Sequence, residues 1–190
     1  MFSTFGQDLA RKYPPPRTLR SCVFAFFDMG IWAVGIFRFG KWVTRLRFQP
    51  ARMVLLAVYF LLYKFSEALS GIRISSESEI GPGLVVHNFS GILIHGRLGR
   101  NCMIVQGAQL ISRADGNNAG WPTLGDNVFV GSGAKVVGNV HIGNNVRIGA
   151  NAVVSRDVPD NARVAPPESR IIPRPGPGRP TGAEDARPIG

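Results

Sequence analysis

Between residues 74 and 154 an aliphatic side chain recurs at every sixth position. The series runs Ile74, Ile80, Val86, Ile92, Leu98, Ile104, Leu110, and resumes at Leu124, Val130, Val136, Ile142, Ile148 and Val154. Four places after most of these lies a second, smaller apolar residue, as at Leu84, Cys102, Ala108, Val128, Ala134, Val140, Val146, Ala152 and Val158. A β-sandwich would not keep such a period over about 80 residues. The pattern instead describes strands too short to be stable singly, each burying its inward residue against the same position one coil away. Three hexads close a triangular coil, so these thirteen predict about four coils of a left-handed parallel β-helix. Gly, Asn and Asp collect between the strands, where the chain must turn with positive φ.

One irregularity and two flanking regions complete the layout. Leu110 and Leu124 lie 14 residues apart, so residues 111–123 must loop out of the wall, carrying Trp121 and Pro122. Such an extrusion makes a cleft on a scaffold that is otherwise featureless. The β-helix domain is expected over 71–172, and the Pro/Gly-rich stretch 173–190 as a disordered tail. Upstream, residues 1–20 form a lead-in without the features of a secretory signal, and 21–70 read as helices. The apolar run 21–37 is 17 residues long with Asp28 inside it, short of the roughly 20 a spanning helix needs. Arg38, Lys41 and Arg45 fall on one helical face, with Phe39, Trp42 and Leu46 on another. A second run, 53–63, has 11 residues and is too short to span. Packed helices covering the end or side of the main domain are expected, with a membrane surface as a candidate partner.

Charge sharpens that expectation. The formal net charge is +10, and residues 1–73 hold 11 Lys/Arg against 3 Asp/Glu, which accounts for +8 of it. The aromatic residues there lie within apolar runs and are not interleaved with the cations. That favours an anionic membrane surface over nucleic acid. Two cysteines are too few for a disulfide framework, so a reducing, cytoplasmic compartment fits, at the inner face of the membrane if one is touched. No phosphate-binding loop, nucleophile elbow or zinc-type cluster is present, and three widely separated histidines argue against a metal. Cys102 takes an inward position and reads as core. His87, His95 and His141 all fall on outward positions, and His87 and His95 are candidates for a general base because they precede the extruded loop by one to two coils.

The hexad register, the loop and the run PTLGDNVFVGSGAKVVGNVHIGNNVRIGANAVVSRDVPDNARV resemble the serine acetyltransferase branch of the hexapeptide-repeat acyltransferases, over about residues 70–172. The resemblance implies a homotrimer or a dimer of trimers, acetyl-CoA as co-substrate without a tightly bound cofactor, and a histidine that deprotonates a hydroxyl acceptor. It implies that Gly131, Ser132, Gly133, Ala134 and Lys135 line the coenzyme path. The family's catalytic histidine aligns with Asn88 and its substrate-binding aspartate with His87, while the second histidine of its loop aligns with Trp121, before Pro122. The expectation is that His87 is the base, that Asn88 donates to the acceptor or the oxyanion, and that His95 is a second base or a substrate contact. With carboxylates for serine recognition missing from the alignment, a sugar hydroxyl of a polysaccharide or its precursor is the expected acceptor, as in polysaccharide-cluster acetyltransferases. Serine acetylation for cysteine synthesis is the alternative, and a non-catalytic trimeric scaffold the alternative of another class.

Overall fold

The computed structural model describes residues 2–16, 18–88, 90–114 and 119–166, so the stretch 173–190 lies outside the described residues. Three parallel sheets form the faces of a triangular prism. The first holds β1 (Ile72–Ile74), β4 (Ile92–Ile94), β7 (Gln109–Ile111), β10 (Lys135–Val137) and β13 (Val153–Val154). The second holds β2 (Glu79–Ile80), β5 (Arg97–Leu98), β8 (Thr123–Leu124) and β11 (His141–Ile142). The third holds β3 (Val85–His87), β6 (Met103–Val105), β9 (Phe129–Val130), β12 (Arg147–Ile148) and β14 (Arg163–Val164). This is the left-handed β-helix of hexapeptide repeats. Sheets of five, four and five strands carry it beyond the four coils expected, because the chain makes a further turn through Val158 to β14.

Register explains the period. Val86 pairs with Ile104, Ile104 with Val130, Val130 with Ile148 and Ile148 with Val164, one coil after another. All these side chains are buried except Val164, which packs partly buried against the same core, as does Ile80. Each aliphatic side chain fully removed from water contributes roughly 1.5–3 kcal/mol. At one corner Asn127, Asn145 and Asn161 adopt φ near +60° and stack in a ladder, Asn127 donating to Asn145 at 3.1 Å and Asn145 to Asn161 at 2.9 Å. Asparagine tolerates this left-handed conformation at less cost than most side chains.

The helical region differs from expectation in several ways. Among the described residues four helices precede the prism: α1 (Phe2–Lys12), α2 (Leu19–Phe27), α3 (Met29–Val43) and α4 (Gln49–Ser70). The supposed lead-in therefore contains a helix. The apolar run 21–37 is broken at Asp28, whose side chain accepts from the backbone N–H of Gly30 at 2.9 Å and Ile31 at 3.2 Å. That is an N-cap, so the run is two helices and not a marginal span. The run 53–63 is the middle of a 22-residue helix, with Pro50 in its first turn and Gly71 closing it at φ +63°. By length and composition alone, α4 is long and apolar enough to cross a membrane.

Arg38 is not on a solvated face. It is 8% exposed, donates to both carboxylate oxygens of Asp8, and reaches the carbonyls of Ile80 and Gly81 at 2.6 Å each. Asp8 also accepts from the N–H of Leu84 at 2.8 Å. Arg11 donates to the carbonyls of Gly83 and Cys102. Helices α1 and α3 are thereby pinned to the first coil.

Candidate functional site

His87 ends β3 at the corner where the chain turns into β4. Helices α1, α2 and α3 roof this corner, so His87 is half-buried and not the freely solvated outward residue that register alone suggests. With Asn88 it lines a cavity of about 700 Å³ whose other walls are Lys12, Tyr13, Asp28, Gly30 and the apolar Phe24, Phe27, Met29 and Leu69. The Lys12 ammonium lies 2.6 Å from one Asp28 carboxylate oxygen and 2.9 Å from the other, and it also donates to the Val86 carbonyl. The Tyr13 hydroxyl donates to Asp28 at 3.0 Å. Gly30 is required where α3 meets this coil: a Cβ there would come 2.5 Å from the Val86 carbonyl oxygen and 3.2 Å from the Lys12 nitrogen.

Burial holds the pKa of His87 below its ordinary 6.5, and the nearby Lys12 and Arg11 cations push the same way against the opposing pull of Asp28. The imidazole is therefore neutral at pH 7, the form in which it can accept a proton. Asn88 sits at φ +62°, the strained left-handed region, in the same turn.

The stretch Gly131–Lys135 occupies the same corner two coils further on. Gly107 donates its N–H to the Ser90 carbonyl, and Gly133 its own to Gln106. At a strand spacing near 4.8 Å, that places it roughly 10 Å from the His87 turn along the prism axis. Ser132 and Lys135 are exposed, whereas Ala134 points into the core, leaving only its backbone toward solvent. Gly133 turns with φ +69°, and a Cβ on it would collide with the Asn151 side chain. Close coil stacking thus accounts for this glycine without a ligand.

His95 and the extruded loop form a separate cluster at the other end of β4. At the base of the loop Arg113 and Gly120 exchange backbone hydrogen bonds at 2.8 Å as an antiparallel bridge. The loop's Trp121, 44% exposed, lies against His95 with ring centroids 4.3 Å apart. Pro122 is buried beneath, and its carbonyl accepts from the N–H of Arg97. Among the described residues His95 Nε2 is buried without a hydrogen-bond partner, with a Glu77 carboxylate oxygen at 3.5 Å. His141 is exposed on β11, paired with Thr123 one coil beyond Pro122. Burial raises the Cys102 thiol to about 11, which removes it as a nucleophile. Among the described residues no group of three metal-ligating side chains occurs.

Within one chain, then, His87 and Asn88 share a corner with the 131–135 stretch, while His95, Trp121 and Pro122 occupy another. Sequence reasoning missed Lys12, Tyr13 and Asp28. A single acid inside an apolar run was the available signal, since a buried carboxylate must find partners.

The sequence has informative relatives. It is 34% identical over 119 residues to a serine acetyltransferase of Helicobacter pylori, covering 60% of this chain and 70% of that protein. The chain belongs to the serine acetyltransferase family. Residues 122–156 match the family model described as bacterial transferase hexapeptide (six repeats). A second member, from Synechococcus elongatus, is 41% identical over 118 residues, 61% of this chain and 48% of that protein. Neisseria gonorrhoeae serine acetyltransferase, solved in complex with serine, superposes with a TM-score of 0.67 at 25% identity, covering 85% of this chain and 65% of that one. The chain thus spans about half to two thirds of the length of the curated relatives it matches. These relatives lend no support to the expected closeness to polysaccharide-cluster enzymes, and they favour the alternative.

Proposed function

We propose that this protein is an acetyl-CoA-dependent O-acetyltransferase with L-serine as acceptor. The observation that carries this reading is the cavity at His87, where a neutral imidazole faces the Lys12–Asp28 pair. Serine needs its ammonium and carboxylate bound, and Asp28, brought in from the helices, supplies a carboxylate where the alignment has none. Asp28 suits the ammonium and Lys12 the carboxylate. His87 takes the proton of the acceptor hydroxyl as its oxygen attacks the thioester carbonyl. Asn88 donates a hydrogen bond to the resulting oxyanion. Collapse of this intermediate expels the coenzyme A thiolate, which recovers the proton. The coenzyme runs along the corner past Ser132 and Lys135, with no tightly bound cofactor and no metal. A homotrimer fits the reading, because one chain does not join the His87 and His95–Trp121 clusters and a neighbouring copy can. In that arrangement His95 and Trp121 contact substrate.

A saccharide hydroxyl is the second reading, favoured only by the aromatic walls Phe24 and Phe27, which suit a sugar ring. Neither it nor a membrane surface draws support from the relatives.

The test is acetyl-CoA consumption with L-serine, nucleotide sugars and oligosaccharides. His87→Ala is expected to lower kcat/KM by roughly 10²–10⁴-fold, the usual contribution of a positioned base. Asp28→Asn, which retains the helix cap, is expected to raise the KM for serine more than it changes kcat. Full activity in His87→Ala with loss in His95→Ala would reassign the base. Absence of thioester loss with every acceptor would leave a non-catalytic scaffold.

A further inference from the structure

Helix α4 is apolar on nearly every side but packs on only one. Of its most apolar 18-residue window, 6% is buried. Val54, Val58, Leu61, Phe65 and Leu69 recur at helical spacing along the bare side, each between 41% and 68% exposed. Phe24, Phe26 and Phe27 of α2 are 55–70% exposed and continue the surface. The two helices meet in shared grooves: Leu69 with Phe24 and Phe27 at the His87 cavity, and Leu62 with Phe26, Trp32 and Phe39 in an apolar groove of about 440 Å³. A helix that is apolar all round belongs in a protein core or against lipid, and an exposed patch this continuous marks a docking surface.

Charge decides between the candidate occupants. Asp8, Asp28 and Glu67 are the only acids before residue 74, and each is paired: with Arg38, with Lys12, and with Lys64 and Arg73. Arg20, at the start of α2 with its guanidinium over the Phe24 ring, and Arg47, just before α4, have no carboxylate partner among the described residues. A second copy docking by a two-fold axis would set these cations against themselves, which is repulsive. Residues 167–190 contain Ile171, Ile172 and Ile189 as their only large apolar side chains, too few to cover the face. Anionic headgroups would neutralise the cations while the apolar stripe enters the acyl boundary, with Trp32 suited to the interface.

We propose that the α2–α4 face docks on an anionic lipid surface, both helices lying flat in the headgroup region. The face shares Phe24, Phe27 and Leu69 with the His87 cavity, so docking sets that cavity at the edge of the lipid. The proposal stands apart from the identity of the acceptor, and its test involves no turnover.

The experiment is flotation of the full chain with vesicles of phosphatidylcholine alone or mixed with phosphatidylglycerol, at low and high salt, with light scattering on the free protein. The wild type is expected to float with the mixed vesicles, with binding weakened at least tenfold by high salt or by omitting the anionic lipid. Arg20→Ala and Arg47→Ala should each weaken it about fivefold. Leu61→Asp with Phe65→Asp should abolish it while the circular dichroism and thermal melting stay unchanged. Absence of wild-type binding to either vesicle overturns the proposal without reference to any variant. If light scattering then shows an assembly of copies that Leu61→Asp with Phe65→Asp breaks down, the face is a contact between copies.

Discussion

The prism and the helical region reach a stable arrangement by opposite means. In the prism each residue's fate follows from its place in a six-residue cycle, and neighbouring coils repeat the same contacts: Val130 does for Ile148 what Ile104 does for Val130. In the helices no such rule holds. Arg38 is buried because of Asp8, 30 residues away, and two carbonyls more than 40 residues away, while Leu61 and Phe65, in an equally apolar sequence, stand bare. Repetition spreads stability over many equivalent small contacts, whereas the helices concentrate their attachment in a few polar ones.

That contrast can be broken most forcefully at Asp8. Asp8→Ala leaves the Arg38 guanidinium buried without its counter-ion, and removing one partner of such a pair costs about 3–5 kcal/mol. Hydrogen exchange should show lost protection in α1 and α3 while the coils from β6 onward keep theirs. If the whole chain melts as one unit, the two regions are not energetically separate. A milder intervention lies in the wall: Ile148→Val removes one buried methylene and should cost about 1 kcal/mol in denaturant unfolding. A loss several times larger would mean that the coils do not share load locally.

The smallest effect concerns the base, where the two regions meet. A base works unprotonated, so the acid limb of kcat/KM for serine should lie below pH 6.5, because burial and the neighbouring cations depress His87. Lys12→Met removes one of those cations. The limb should then move to higher pH, toward but not reaching 6.5, since burial, the larger cause, remains. A limb unmoved in this variant would argue that the helices do not tune the wall's histidine.

These differences also explain what could be read from the sequence. The inward series from Ile74 to Val154 was legible because period alone determines burial there, and Cys102 followed as a core residue. The outward position of His87 was legible too, but its roof was not, since that depends on how α1–α3 settle on the first coil. Asp28 looked like a flaw in an apolar run until its partners Lys12, Tyr13 and the Gly30 N–H came together. Polar partners far apart in sequence leave no periodic trace.

One consequence follows from where the helix side chains touch the prism. Arg38, Arg11 and Lys12 take up the carbonyls of Ile80, Gly81, Gly83 and Val86, the rim that no earlier coil covers. Unsatisfied, that rim would be a template for another chain's strand. The three cations act as a terminator: they end a structure whose geometry would otherwise admit another coil, and keep a self-propagating architecture finite.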